Sequence, residues 1–208
     1  IQSNADLLEM LVHDSRKEDQ EKCRKVTNRI KGEIGRMTEL MDDVLTLGKV
    51  TSGNVDYKPQ ELNLVDFCKK LAKEFDEVQA DGRSIKVTLF GVPCSVYLDP
   101  KLLTHSLSNL ISNAFKYSSG KNNPELAISF KPKEFVLLVK DYGIGIPKEQ
   151  LSKLFQPFFR ANNVEAFKGT GLGLSIAKEY IEVNKGQIQA KSIQGEGSAF
   201  EITFLKQK

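Results

Sequence analysis

No stretch of this chain approaches the roughly 18–20 consecutive apolar residues that cross a bilayer, and no signal-peptide pattern opens it. Membrane contact within these residues is therefore not expected. Charge of one sign is scarce too: 30 Lys and Arg stand against 27 Asp and Glu, a formal net charge of +3. So even a balance gives no electrostatic case for binding nucleic acid or an anionic surface. Three cysteines, Cys23, Cys68 and Cys94, lie far apart with no paired spacing. They read as reduced thiols of a cytosolic protein, not as a disulfide framework or a metal site. The chain also lacks internal repeats, low-complexity tracts and the G-x-x-x-x-G-K-S/T loop of P-loop proteins.

What is there is core material. Hydrophobic residues make up 40% and charged residues 27% of the 208, which excludes a disordered tail and leaves room for one large domain or two small ones. Residues 1–50 read as a helical hairpin. Ile1, Ala5, Leu8 and Val12 keep a helical step, and after the polar stretch HDSRKEDQ (13–20) the rhythm resumes at Val26, Ile30, Ile34, Met37, Met41 and Val44. Steps of three and four put a narrow apolar stripe on one helix face. One hairpin cannot cover both stripes, so a homodimer through residues 1–50, closing a four-helix bundle, is the natural solution. The alternative is a pair of amphipathic helices packed on their own domain. Thr51-Ser52-Gly53-Asn54 ends the second helix and opens a linker over 51–56. That second helix, from about Asp19 to Lys49, is roughly 30 residues or ~45 Å long, whereas the first has few residues before the polar break; a matching partner needs roughly 20 more residues upstream.

From 57 to 208 the pattern predicts a second domain of mixed type. Short strands are expected at 84–90 and 95–98. Helices are expected at 65–75, 100–118, 147–154 and 171–184. Two hairpins follow from ELAISF and EFVLLVKDY around Lys131-Pro132-Lys133, and from QIQAKSI and AFEITF around Gly195-Glu196-Gly197. The fold class is therefore α+β: the N-terminal helical hairpin, then an α/β sandwich whose mixed sheet is covered by helices on one face.

Four segments in this second part carry chemistry: NLISNAFKYS (109–118), DYGIGIP (141–147), LFQPFFR (154–160) and GTGLGL (169–174). On the helix 100–118, Leu103, Leu107, Leu110 and Ala114 make a core face. Asn109, Asn113 and Lys116 share a different face, within about 60° of one another. An amide oxygen can ligate Mg²⁺ without adding charge beside a triphosphate, and a lysine can neutralise phosphate oxygens. A solvated polar face is the bland alternative. Asp141, at the end of an apolar strand, can accept a hydrogen bond from an adenine amino group, and Gly143 and Gly145 let the backbone approach a base. The Asp-Tyr-Gly also looks like the metal-binding Asp-Phe-Gly of protein kinases, but no H-R-D loop or V-A-I-K strand accompanies it. The segment 155–170 has the polar, aperiodic character of a lid, with its phenylalanines expected to anchor it to the core. Arg160 is either a charge stabiliser at the γ-phosphate or an ordinary surface residue. Gly169-Thr170-Gly171-Leu172-Gly173 leads into a helix, an arrangement of bare amides that suits phosphate. Leu172 and Leu174 pack into the core or line the pocket.

These segments, in this order, resemble the catalytic domain of sensor histidine kinases, over roughly residues 57–205. The resemblance implies ATP and Mg²⁺ as ligands. It implies Asn113 as the Mg²⁺ ligand, Asn109 and Lys116 at the phosphates, Tyr117 bordering the nucleotide, and Asp141 reading adenine in a pocket shaped by Gly143 and Gly145. The implied nucleotide site also takes in Ile146, Gly169, Thr170, Gly171, Leu172, Gly173 and Leu174, with Lys116 and Arg160 acting on the transferred phosphoryl group. Gly195 and Gly197 complete the family's last glycine element, or are simply a hairpin turn. A further implication is transfer of the γ-phosphoryl to a histidine on the first helix, then to an Asp of a response regulator receiver domain. By the same resemblance the location is cytoplasmic, in a soluble protein or in the cytoplasmic part of a membrane receptor.

The acceptor histidine itself is expected a few residues before Ile1. His13 is a tempting substitute, because His13-Asp14-Ser15-Arg16 starts like the family's acceptor motif. Ser15 replaces an apolar residue, however, Lys17 and Glu18 replace the small residue and proline, and the segment falls in the expected hairpin loop. His105 stands one turn before Asn109, where the wider superfamily that includes gyrase and Hsp90 often carries a catalytic glutamate. It therefore argues against a hydrolytic ATPase and reads as a structural or supporting imidazole, while the long hairpin of 1–50 disfavours a hydrolytic or serine-directed member of that superfamily. A non-catalytic dimeric scaffold with a vestigial pocket is the remaining alternative, opposed by the complete glycines, Asn113 and Asp141.

Overall fold

The computed structural model describes residues 17–164, 167 and 169–206. The expected first helix of the hairpin and His13 lie outside the described residues. The chain divides into two compact units, Ile1–Gly48 and Lys49–Lys208.

Helix α1 spans Lys17–Thr51. Its stripe residues Val26, Ile30, Met37, Met41 and Val44 are exposed. The helix stops as its last residues foretell: Gly53 has φ +70, its N–H donates to the Val50 carbonyl at 3.0 Å, and the Asn54 N–H donates to the Lys49 carbonyl at 2.9 Å. Those two bonds satisfy carbonyls that the helix leaves open, in the Schellman arrangement.

The second unit holds β1 (Gln60–Leu62), α2 (Leu64–Val78), β2 (Lys86–Phe90), β3 (Val96–Leu98), α3 (Pro100–Tyr117), β4 (Glu125–Phe130) and β5 (Glu134–Lys140). After two 3-10 turns, Lys148–Lys153 and Asn162–Val164, come α4 (Gly173–Val183), β6 (Gly186–Ile193) and β7 (Gly197–Leu205). The main sheet runs β2-β4-β5-β7-β6, with β2 parallel to β4 and every other pair antiparallel; β1 and β3 form a small antiparallel pair of their own. A mixed sheet beside helices is the α+β class the pattern predicts.

Alternation explains which face is covered. Leu126, Ile128 and Phe130 of β4, Phe135, Leu137 and Val139 of β5, and Phe200, Ile202 and Phe204 of β7 all enter one core with α2, α3 and α4. Their neighbours in sequence are more exposed, as a sheet with one covered face requires. α3 contributes Leu103, Leu107, Leu110 and Ala114, the four positions its periodicity marks. It starts on Asp99, whose carboxylate accepts from the Lys101 and Leu102 amides, with Pro100 at the first turn. It ends under Arg83, whose guanidinium donates to the Phe115 and Ser118 carbonyls and so satisfies the last turn from outside the helix.

Three local expectations are corrected. The 147–154 segment is a 3-10 turn, because Pro147 restricts the entry and only Lys148–Lys153 follow before the chain turns again. α4 begins at Gly173 instead of 171, since Gly171 sits at φ +78, outside right-handed helical geometry. Of the lid phenylalanines, Phe155 packs against the core, but Phe158 is 61% exposed at φ +63 and anchors nothing there. The cysteines are free, two exposed and Cys68 buried, where burial pushes the thiol up to about 12 and leaves it inert at neutral pH.

Candidate functional site

Helix α3 stands between the two glycine loops. At its C-terminal end the Tyr117 carbonyl accepts from the Ile144 N–H at 3.2 Å, which ties the 141–147 loop to the helix. One residue earlier, Lys116 Nζ lies 3.0 Å from the point where a Gly169 side chain would begin. Two turns before that, a Cβ on Gly173 would overlap Asn109 Oδ1. The polar row of the helix therefore lies against the second glycine loop, and the glycines leave room for it.

The first loop is held from every direction. Asp141 leaves β5 with its N–H donating to the Ser198 carbonyl at 2.8 Å, and its Oδ1 accepts from the Gly143 N–H at 2.8 Å. The Ile144 carbonyl accepts from Gly195 N–H at 2.8 Å, and the Ile146 N–H donates to Ser192 Oγ at 2.8 Å. Glycine is needed for close approach: a Cβ on Gly143 would overlap the Tyr117 carbonyl, and one on Gly145 the Ile193 carbonyl. Gly145 also has φ +61, which other residues adopt only with strain. Gly197 belongs to the same packing, since its Cβ would overlap the Asp141 carbonyl. The last glycine pair thus closes the first loop as well as turning a hairpin.

Asp141 is 5% exposed, and no cation pairs with it among the described residues. Burial raises its carboxyl above the ordinary value, while hydrogen bonds from Gly143 and Ser198 pull the other way. Such a group is a buried hydrogen-bond acceptor, held by the Gly143 N–H and by Ser198.

The second loop is built differently. Thr170 Oγ1 accepts from the Leu172 N–H at 3.2 Å, Leu172 is fully buried, and no side chain caps the start of α4. First-turn amides left without a capping side chain, beside a lysine, have the chemistry to receive an anion. Tyr117 meets the Phe167 ring edge-on at 5.1 Å, and Lys116 Nζ lies 4.9 Å from the Tyr117 ring centre.

Asn109 Nδ2 donates to the His105 carbonyl at 3.1 Å, which turns its oxygen toward Gly173. Asn113 is half-buried and makes no side-chain hydrogen bond among the described residues. Arg160 is exposed, and its Nη2 donates to the Val164 carbonyl at 2.9 Å and to the Phe167 carbonyl. A guanidinium has further donors to offer. His105 is exposed, with its ring 5.7 Å from that of Tyr180.

Among the described residues there is no cluster of three or more His, Cys, Asp or Glu able to cage a metal ion. That suits Mg²⁺ bound through phosphate oxygens, water and a single protein oxygen, and an amide with no other partner is such a ligand. The donor set fits a Mg-nucleotide and does not fit a metal held by protein alone.

Several anchors escaped the sequence reading: Arg83, Asp99, Ser192, Asn163 and Asn184. Asp99 before Pro100 is a helix-start signal in itself. The others act on partners distant in sequence, such as Asn184 Oδ1, which accepts from the Asp99 N–H at 2.8 Å.

Residues 98–208 match the family described as histidine kinase-, DNA gyrase B-, and HSP90-like ATPase. Sensor histidine kinase WalK of Bacillus subtilis is 34% identical over 176 residues, 83% of this chain and 29% of that protein. A sensor protein kinase WalK of Staphylococcus aureus is 32% identical over 180 residues, 83% of this chain and 42% of that one. The chain thus spans less than half the length of either relative. Among solved structures, histidine kinase AdeS of Acinetobacter baumannii shares the fold at a TM-score of 0.69 and 24% identity, over 100% of this chain and 94% of that one. Full-length ShkA in complex with AMPPNP does so at 0.74 and 18%, over 98% of this chain and 43% of that one.

Proposed function

The chain belongs to the sensor histidine kinases, and on that premise we propose that it binds Mg-ATP in the space flanked by the two glycine loops and phosphorylates a histidine on its dimerisation helix. The observation that carries this reading is α3 itself. One helix presents Tyr117 to the first loop, and Lys116 and Asn109 to the second. A base and its phosphates would meet the same element over about two turns, roughly 12 Å from Tyr117 to Asn109.

In this reading Asp141 accepts from the adenine amino group, and the pinned loop around Gly143, Gly145 and Ile146 receives the ring. Lys116, Asn109 and the amides of 169–174 hold the phosphates, while Asn113 offers its amide oxygen to Mg²⁺. The metal, when bound, neutralises phosphate charge and holds the chain of phosphates in one geometry. Arg160 sits on the same side as the Phe167 carbonyl, where its free donors reach charge developing on the γ-phosphoryl group. The γ-phosphorus bond to the ADP oxygen breaks, a bond to an imidazole nitrogen forms, and the imidazole proton leaves to solvent. Onward transfer goes to an Asp of a response regulator receiver domain. The exposed stripe of α1 pairs with a second copy in a homodimer over residues 1–50, with 51–56 as linker and 57–208 as the ATP-binding domain. No helix among the described residues is long and apolar enough to cross a membrane. His105 supports α3 and takes no part in transfer.

The test uses γ-labelled Mg-ATP on this chain, alone and with roughly 20 native residues restored upstream, the helix deficit that the hairpin predicts. Acid-labile, alkali-stable label on the extended protein alone is the expected result. Label on the shorter chain would move the acceptor to His13 or His105. Steady phosphate release without label would favour a hydrolytic ATPase.

A further inference from the structure

One side chain links the two halves of the site without belonging to either. Asn163 lies on the 3-10 turn Asn162–Val164, 18 residues beyond Gly145, and its Nδ2 donates to the Gly145 carbonyl at 2.8 Å. Its Oδ1 is buried and finds no donor among the described residues. Leaving a buried acceptor unsatisfied costs free energy, so this side chain is not placed for stability alone. The next residue, Val164, gives its carbonyl to Arg160 Nη2 at 2.9 Å. A third bond, from the Asn162 N–H to Gln150 Oε1 at 3.1 Å, fixes the turn from its other side. The turn is therefore a bracket: one arm grips the loop beside Asp141 and the other grips the guanidinium of Arg160.

We propose that Asn163 is a positioning residue that sets Arg160 relative to the base loop, so that nucleobase fit and γ-phosphate recognition are coupled through the Gly145 carbonyl. This rests on the reading above, in which the 141–147 loop receives the base and Arg160 faces the γ-phosphate. Asn163 touches neither. An amide is the suitable group, since it donates to Gly145 while adding no charge next to a triphosphate; an aspartate of the same shape has no donor and sets an oxygen against the carbonyl.

The experiment is calorimetric titration of the chain with Mg-ATP, Mg-ADP and Mg-GTP. The variants are Asn163→Asp, Asn163→Ala, Arg160→Ala and the Asn163→Asp/Arg160→Ala pair, each checked for an unchanged thermal midpoint. The preference for ATP over ADP reports the γ-phosphate, and the preference for ATP over GTP reports the base. Asn163→Asp is expected to lower the ATP-over-ADP preference about fivefold, the size of one hydrogen bond, although the residue meets no phosphate. Arg160→Ala lowers it similarly, and the double variant falls no further, because residues acting as one unit are not additive. ATP-over-GTP preference drops in Asn163→Asp and holds in Arg160→Ala. Should Asn163→Asp fail to fold, Asn163→Ala removes the same donor without the added charge and carries the test. Unchanged ratios in the Asn163 variants, or losses that add in the double variant, overturn the coupling. Wild-type protein that binds ATP normally in that case leaves the kinase reading intact, whereas wild type that binds no nucleotide takes both down.

Discussion

The two glycine loops look alike in sequence and are different objects in space. In the 141–147 loop every glycine is pressed against backbone: Gly143 on the Tyr117 carbonyl, Gly145 on that of Ile193, with Gly197 on that of Asp141 from the neighbouring strand. Backbone cannot move aside without moving the sheet. In the 169–173 loop, Gly169 faces the tip of Lys116 and Gly173 faces the amide of Asn109. Those neighbours are side chains, able to rotate away. Only Gly171, at φ +78 and with an added Cβ falling 2.8 Å from the Phe158 carbonyl carbon, is confined like the first set. The first loop's glycines are thus requirements of folding, and in the proposed function they also shape a rigid base pocket. Those flanking the second keep space for functional groups. A pocket for a flat ring gains from rigidity; a phosphate cradle that must load and release can tolerate movement.

The sharpest way to break this contrast is Gly145→Ala. A forced positive φ together with an overlap on the Ile193 carbonyl should cost about 2–4 kcal/mol of stability, read by urea unfolding at neutral pH. A variant within about 0.5 kcal/mol of the parent, inside the range of ordinary surface changes, would show the loop to be softer than drawn.

Next in size is Asp141→Asn, whose expected effect falls on binding and not on folding. ATP affinity should drop at least about tenfold, since a hydrogen bond to a charged acceptor is lost. Stability at neutral pH should hold or rise. The sign follows from linkage: the native carboxyl titrates above its unfolded value, so the native state keeps its proton longer. Its contribution is most favourable at low pH and declines as pH climbs from about 4 through the raised native value. Unfolding of both proteins between roughly pH 4 and 7 should therefore show the variant gaining on the wild type as pH rises. The wild type gaining instead would mean that an unseen donor stabilises the charged form.

Gly169→Ala is the mild member of the series. Its Cβ would sit 3.0 Å from Lys116 Nζ, a flexible end that can swing aside. Stability should be unchanged, with ATP affinity falling only about threefold as the ammonium shifts, well under one full hydrogen bond. A loss of stability on the scale of Gly145→Ala would erase the distinction between the loops.

Much of the fold was legible because it depends on local periodicity. The stripe on α3, the alternation in β4, β5 and β7, and the Gly53 stop of α1 each follow from chemistry within a few residues. Asp141 at a strand end and the second glycine loop before a helix were visible for the same reason. The start of α4 and the posture of Phe158 were not, since both depend on the close approach of Gly171 to the Phe158 and Phe159 backbone. Nor could Arg160 be placed, because its carbonyl partners come from an aperiodic stretch.

By itself, the sequence determined the elements, the covered face of the sheet, and the family to which the chain belongs; each rests on spacing within single segments, and spacing survives without three-dimensional context. Tertiary structure alone decided that α3 stands between the loops, that Gly197 closes the 141–147 loop, and that Asn163 reaches Gly145. Those are meetings of groups tens of residues apart, and no pattern along the chain encodes which carbonyl a distant amide will find. Packing does, because buried polar groups must be satisfied by whatever the fold brings beside them.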